Sequence, residues 1–461
     1  MPSETPPGDA FDVGLLSPVT VGRDEVVSDA AILDALVTAE VALARAYGSL
    51  GIAPAGAVDA IEESLGWINP LEGCRGHGVS PSALAAAGVD GGNPVIPLVG
   101  LLKQRVPADV REWIHRGATS QDILDSALMT VARRAAARVD GNLRELESAL
   151  RGFAKDARDT VAAARTLTQH AVPTTVGLRA ANWLHGIRRA ADRVEAASAA
   201  LPAQLGGAGG TLASFVELTG SPDAARRLAA PFAASLELSV PAAPWHTDRW
   251  PVTELGDALV RALDAVGKIA ADVATLSRTE IGELAEGSGG GSSAMPQKSN
   301  PVASVLIRSA ALRAPQLGAT LHLAAALAGD ERPDGAWHAE WPTLRELLRL
   351  ALGATAHATA LVEGLKVDGD AVARNLALTR GLIVSERLSI VLTPIVGRER
   401  VSALIAEASA GGDLAALVRA LPEAADLDVA ALLDPAQYTG LAGVLTDEAV
   451  TERGPETEQP G

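Results

Sequence analysis

Thr119-Ser120-Gln121-Asp122, running into Ile123-Leu124-Asp125-Ser126-Ala127-Leu128, opens the stretch that decides the fold. Taken alone, Thr-Ser-Gln-Asp is an ordinary helix start, whose short polar side chains accept from the orphan N–H groups of a first turn. Apolar residues then recur at Leu124, Leu128, Val131, Val139, Leu143 and Leu146, and the pattern continues to about Ala164. At ~1.5 Å per residue this predicts a rod of ~60 Å, far longer than an ordinary globular helix. Further long patterns run from Gly177 to Ala200, Thr253 to Glu283, Pro301 to Ala328 and about Trp341 to Leu365. Helices of this length, joined by loops compatible with antiparallel neighbours, predict a bundle. Alanine runs such as 162–164 and 324–326 are expected to let its helices approach closely.

Upstream, Ser28 is placed to cap a helix through Ile32, Leu36, Val37 and Leu43, and a second helix carries Val58, Ile61 and Leu65. Residues 73–97 are rich in Gly, Ser and Pro. Beyond Gly364 the patterns shorten and are interrupted by Pro394, Gly411-Gly412 and Pro435. The organisation expected is all-α in three domains: a helical N-terminal domain over 1–110, a central long-helix domain over 111–364, and a small helical domain over 365–446. Residues 447–461 are acidic, with Pro and Gly, and are expected to form a disordered tail. Helices this long exceed what one subunit can cover, so a homo-oligomer is expected.

The chain has 461 residues, 48% hydrophobic but only 3% aromatic, so its core must be built from Ala, Leu and Val. Its formal net charge of -17 argues against nucleic acid or an acidic membrane surface as partner, though a small basic site can sit inside an acidic envelope. Cys74 is the only cysteine, which rules out an intrachain disulfide and a Cys-based metal site. The N-terminal residues form no apolar targeting segment and no apolar run is long enough for a membrane span, so a cytoplasmic location is expected. No His, Asp or Glu cluster has metal-ligand spacing; neither a metal nor a cofactor is expected.

Between two of the long patterns lies Gly287-Ser-Gly-Gly-Gly-Ser-Ser-Ala-Met-Pro-Gln-Lys-Ser-Asn-Pro301. Its glycines leave backbone N–H groups free to converge, while Ser292, Ser293, Lys298 and Asn300 add donors suited to a carboxylate. A plain linker rarely carries a Met-Pro pair with a lone lysine. The phosphate-loop spacing also fails, because Gln297 precedes Lys298 and no strand leads in. Two more segments concentrate polar groups beside long helices: His115-Arg116-Gly117-Ala118-Thr119-Ser120-Gln121-Asp122, and 165–175 with Gln169 and His170. Three such segments point to a site that handles anions.

The loop Gly-Ser-Ser-Ala-Met-Pro-Gln-Lys-Ser-Asn-Pro resembles the signature of the fumarase/aspartase/argininosuccinate lyase superfamily, and the other two segments follow that superfamily's order and approximate spacing. Gly92-Asn93-Pro94, Gln204-Leu205-Gly206-Gly207, Pro244-Trp245-His246-Thr247 and Gly335-Ala336-Trp337-His338 are similar to its cycloisomerase branch, which acts on 3-carboxy-cis,cis-muconate. The resemblance implies the superfamily's three-domain fold with a central helical bundle, a homotetramer with each site shared between three subunits, and a small tricarboxylate substrate closing to a lactone. It makes Ser292 the catalytic serine, with Lys298 and Asn300 stabilising charge. His115, Thr119, Ser120, Gln169, His170, Ser293, Asn93 and His338 are implied as substrate contacts. Most lyases of the superfamily carry His where this chain has Leu167, and relatives commonly carry Arg where it has Ser299. Leu167 cannot transfer a proton. Intramolecular attack by an ionised carboxylate, of pKa ~4, needs no such group, whereas amine or water elimination without it would slow by ~10²–10⁴. On this reading the cycloisomerase is favoured over an amine-eliminating lyase, and over a non-enzymic protein on the same scaffold. The proton donor is left between Ser292 and His170.

Overall fold

A computed structural model describes residues 12–287, 290, 291, 295 and 298–451. Six of the described helices are 21 residues or longer: α1 (Asp29–Ser49), α2 (Ser120–Asp156), α3 (Val176–Ala200), α4 (Trp250–Leu276), α5 (Val302–Ala326) and α6 (Gly335–Glu363). The chain forms two compact units. The first comprises Met1–Asn142, Ala190–Asp264 and Ser309–Ala356; the second comprises Leu143–Arg189, Ala265–Arg308 and His357–Gly461. Every passage from one unit to the other falls inside one of the helices α2 to α6.

In the first unit Ser28 caps α1, its Oγ accepting from the Ala31 N–H at 3.2 Å. The helix is buried along most of its length, and Leu36, Leu43 and Tyr47 are sealed from solvent, as are Phe215 and Phe232 in the same unit. These aromatic rings take part of the core, with Leu, Ala and Val filling the rest. The N-terminal segment lies directly on α6: a Cβ on Gly353 would sit 2.0 Å from the Val19 carbonyl oxygen, so only glycine admits this contact. Arg349 pairs with Asp12 and Asp24, and Arg345 with Asp29, along the same line.

The second unit corrects the expected end of the long α2 pattern. The helix stops at Asp156, and residues 161–175 form an antiparallel hairpin, β1 (Val161–Thr166) with β2 (Gln169–Thr175). The alanine propensity that favours helix amounts to less than ~1 kcal/mol per residue, and tertiary packing overrides it. The start of α3 presses on the end of α2 so closely that a Cβ on Gly177 would lie 2.6 Å from the Arg158 Cα. Ala162 and Ala163, expected to space helices, instead face small clusters holding Val176, Val372, Ile383 and Val384. Three further short ladders are described in the chain. In this unit β3 (Leu284–Ala285) pairs with β6 (Lys366–Val367), and β4 (Gly290–Gly291) with β5 (Ser299–Asn300). The fold is therefore mostly helical, with small antiparallel additions.

Shorter helices over 385–433 close the second unit around a core of Leu388, Leu392, Val401, Leu404 and Val418. The unit also holds α7 (Gly369–Leu376), whose Val372 packs among Ala157, Ala162 and Val176, and α8 (Ala442–Val450). Helix α8 carries order past Asp447, where the acidic composition suggested a tail. Arg158 holds Asp447 at 2.6 Å, and Arg188 donates to the Ala449 carbonyl at 2.6 Å. No described helix is long and apolar enough to cross a membrane.

Candidate active site

The polar segment 115–122 belongs to the first unit, and the segments 165–175 and 287–301 to the second. Ahead of α2 the chain turns at His115, whose φ is +61°, and at Gly117, φ +77°. Nδ1 of His115 lies 2.7 Å from Oε1 of Glu40, a carboxylate fully buried in α1. Burial alone would lower the pKa of this imidazole, but the charge of Glu40 and its hydrogen bond outweigh burial and move it above the usual histidine range.

Asp122 closes the start of α2 by accepting from the Thr119 N–H at 3.0 Å. It also accepts from the backbone N–H groups of Gly206 and Gly207 at 2.8 and 2.9 Å, and lies 3.0 Å from Nε2 of His246. That is why the glycine pair at 206–207 is needed: a Cβ on Gly206 would come within 2.8 Å of the His246 ring. One turn on, Asp125 receives both Nη atoms of Arg249, at 2.8 and 3.0 Å, and the Trp337 indole N–H at 2.9 Å. Arg249 reaches Glu340 at 2.7 Å with its other face. Burial pushes the Glu340 carboxyl up, opposed by Arg249 and reinforced by Asp125. These sealed charges hold the segment 119–125 in one position and are closed to a ligand.

The Thr119 hydroxyl accepts from Arg332 and keeps its own proton for a ligand. Ser120 is half-buried, and its hydroxyl has no partner among the described residues. Asn93 is buried and consumed locally, its Oδ1 accepting from the Val95 N–H at 3.1 Å. Both ring nitrogens of His338 face carbonyl oxygens, those of Asp334 at 3.0 Å and Gly92 at 2.9 Å. Asn93 and His338 thus secure the loop 91–95, and the structure brings them to the same turn.

In the second unit the hairpin tip is Leu167-Thr168, with φ +47° and +71°, and the Leu167 side chain is 96% exposed. Gln169 is exposed beside it. Behind the tip, Arg165 is gripped by the buried carboxylate of Glu283, which also accepts from Asn375 at 2.9 Å. Burial would raise the Glu283 pKa, but the hydrogen bonds from Arg165 and Asn375 bring it below the usual range. Arg165, Thr168 and His170 line a cleft of about 700 Å³ together with Arg179, Asn182 and Arg278. The pKa of His170 is lowered by burial and then by Arg165, so its imidazole is neutral at pH 7 and suited to accept a proton.

The base of the glycine loop is a short ladder, Gly290 opposite Asn300 and Gly291 opposite Ser299. Its entry is fastened by Glu286, whose carboxylate accepts from the N–H groups of Ala303 and Ser304 at 3.0 and 2.9 Å. The positive end of α5 is therefore filled by the protein itself. Lys298 is exposed, and its ammonium has no partner among the described residues. Ser292 and Ser293, expected as catalytic serine and substrate contact, lie outside the described residues. Among the described residues no group of three or more His, Cys, Asp or Glu could hold a metal ion.

The sequence motifs contain Asp122 and His246 without announcing that they meet. They gave no role to Glu40, Asp125, Arg249, Glu283, Glu286 or Arg179. The available signal was an acid or an arginine inside an otherwise apolar helical face, as at Glu40 in α1.

A family model described as Lyase matches residues 24–315. The nitrosuccinate lyase of Streptomyces davaonensis is 46% identical over 470 residues, covering 97% of this chain and 96% of that protein. The 3-carboxy-cis,cis-muconate cycloisomerase of Pseudomonas aeruginosa is 38% identical over 466 residues, covering 98% and 97%. Among solved structures, the 3-carboxy-cis,cis-muconate lactonizing enzyme from Pseudomonas putida matches with a TM-score of 0.85 and 34% identity, over 95% of this chain and 98% of that one. The cycloisomerase branch is thus represented among the relatives, but a lyase of another reaction shows the higher identity. With its helices, its glycine loop and these matches over nearly its whole length, the chain belongs to the lyase family.

Proposed function

We propose that this lyase eliminates nitrite from nitrosuccinate to give fumarate. The observation that carries the reading is Leu167, a side chain unable to donate a proton, fully exposed at the tip where relatives are expected to present histidine. Nitrite is the conjugate base of an acid about as strong as a carboxylic acid, so it leaves without protonation. An amine or hydroxide does not. In the proposed step a base takes the proton from the carbon beside one carboxylate. That C–H pair becomes the new double bond, and the C–N pair departs on nitrite.

Negative charge passes transiently onto the carboxylate beside the deprotonated carbon. Lys298, Asn300, Thr119 and Ser120 with loop N–H groups would hold it, and Ser293, Gln169 and His115 would line the pocket. Ser292 is the proposed base, its hydroxyl acidified by the loop donors and Lys298. Neutral His170 is the alternative. The proposal includes a homotetramer whose sites draw residues from different chains.

Ring closure of 3-carboxy-cis,cis-muconate is the second reading, favoured by the structural match to the lactonizing enzyme. It too needs no imidazole. Against it stands Ser299, which removes a cation where a trianionic substrate needs one more than a dianion. Purified protein given nitrosuccinate is expected to release nitrite and fumarate one for one, read by diazo colour and ultraviolet absorbance. Loss of diene absorbance from 3-carboxymuconate with no nitrite from nitrosuccinate would establish the second reading instead, and silence on both substrates would sink the two together.

A further inference from the structure

A second cleft, of about 630 Å³ and wholly within the first unit, serves none of the roles above. Its floor is one face of α2, where Arg133, Arg134 and Arg138 follow Thr130 at helical spacing. Arg134 is anchored by donating to the Leu71 carbonyl at 2.7 Å, and Arg75 across the cleft is neutralised by Asp34. Arg133 and Arg138 make no hydrogen bond or ion pair among the described residues. The lining also carries Glu25 and Glu237, whose carboxylates make no hydrogen bond or ion pair among the described residues. Glu237 is held there at a φ of +56°, a conformation that L residues rarely adopt.

Unpaired guanidinium and carboxylate groups thus share one cleft without closing on each other. Two like charges a turn apart on one helix face repel, as do Arg134 and Arg138. The pKa of Arg134 is lowered first by burial and then by Arg75, while Glu237 and Asp34 pull it back up. The start of α1 adds a positive end to the same cleft, which Ser28, Ala30 and Ala31 help to line. The Ala30 N–H finds no acceptor among the described residues.

We propose that this cleft binds a small zwitterion, a free α-amino acid, whose carboxylate sits on Arg133 and Arg138 and whose ammonium faces Glu237 and Glu25. A simple anion would meet the two carboxylates, and a simple cation the arginines. Only a molecule carrying both charges a few ångströms apart satisfies the whole lining. The volume leaves room for a side chain beyond them.

The test is calorimetric titration of the full chain with glycine, glutamate and arginine, beside acetate and methylamine as single-charge controls, at low ionic strength. At least one amino acid is expected to bind saturably, with acetate and methylamine at least ~10-fold weaker, since charge-assisted contacts supply the affinity. Arg133→Gln/Arg138→Gln is expected to weaken that binding by ~10-fold or more, and Glu237→Gln to weaken it as well. These solvent-facing changes should leave the circular dichroism spectrum and the turnover of the proposed reaction unaltered. The opposite response to Glu237→Gln, tighter binding with acetate as good a ligand as any amino acid, would make the cleft a plain anion site and overturn the proposal. So would the absence of saturable binding, or binding that survives the double substitution. None of these outcomes depends on whether nitrosuccinate is the substrate.

Discussion

The charged groups around Asp122 and Asp125 and those around the hairpin and glycine loop are both rich in polar side chains, yet they are built on opposite plans. In the first of these groups the charges are buried and answered: Arg249 stands between Asp125 and Glu340, and Asp122 gathers three N–H groups and an imidazole. In the second, Leu167 and Lys298 face solvent, with Arg165 fastened beneath by Glu283. Answered charges fix geometry, while unanswered ones remain available to a ligand. Substitutions should therefore separate stability from activity according to which plan they touch.

Arg249→Met carries the largest expected effect. It strands two buried carboxylates, a situation that costs about 3–5 kcal/mol. An unfolding free energy lower by that amount is expected from urea titration, and Asp125→Asn/Glu340→Gln in the same chain should recover much of it. A variant as stable as the parent would show that the buried charges hold nothing in place.

Lys298→Ala probes the other plan. Its exposed ammonium contributes little to folding, so stability should stay within about 0.5 kcal/mol. Turnover of nitrosuccinate should fall by ~10²–10³, the usual cost of removing a charge-stabilising donor. Comparable loss of stability and activity would erase the contrast drawn above.

The same contrast explains what the sequence could disclose. Long helices were legible because a 3.6-residue period over α2 or α4 leaves few alternatives, and the loop 287–301 because its donors are consecutive. The hairpin was hidden by Val161-Ala162-Ala163-Ala164, whose composition favours helix and whose strand pairing depends on contacts with residues past 370. The ladder at the base of the loop was hidden because Gly290-Gly291 has no strand propensity. The pairing of Arg249 with Asp125 and Glu340 spans 124 and 91 residues, and no local pattern announces it. Roles implied by resemblance told which residues to inspect. They did not tell that Asn93 and His338 would both be tied to the loop 91–95.

His115 lies between the two plans, half answered by Glu40. Its folded pKa is raised, so the stabilisation from this pair is fully present below the unfolded histidine value of ~6.5 and is lost as pH rises through the raised folded value. Glu40→Gln removes the opposing charge and leaves burial as the dominant influence, which lowers the folded pKa. The pH slope of unfolding free energy in this window should then change sign. A slope that Glu40→Gln leaves untouched would place its origin elsewhere.

The smallest expected effect is at the hairpin tip. A two-residue connection with φ positive at both positions suits Asn-Gly, and here Leu167 and Thr168 occupy it, one fully exposed and the other β-branched. Leu167→Asn/Thr168→Gly should therefore stabilise the chain by about 1 kcal/mol, since left-handed conformations in ordinary residues cost ~1–3 kcal/mol each. Neither side chain earns its place through packing in the fold, because the tip stands in solvent. If the tip instead serves the substrate, the same pair of substitutions should raise stability while lowering kcat/KM, and Leu167→Met should restore most of the activity by keeping an apolar tip without a proton to give. Greater stability at unchanged kcat/KM would leave the tip without a catalytic role, and the argument from a missing imidazole would lose its place in the site.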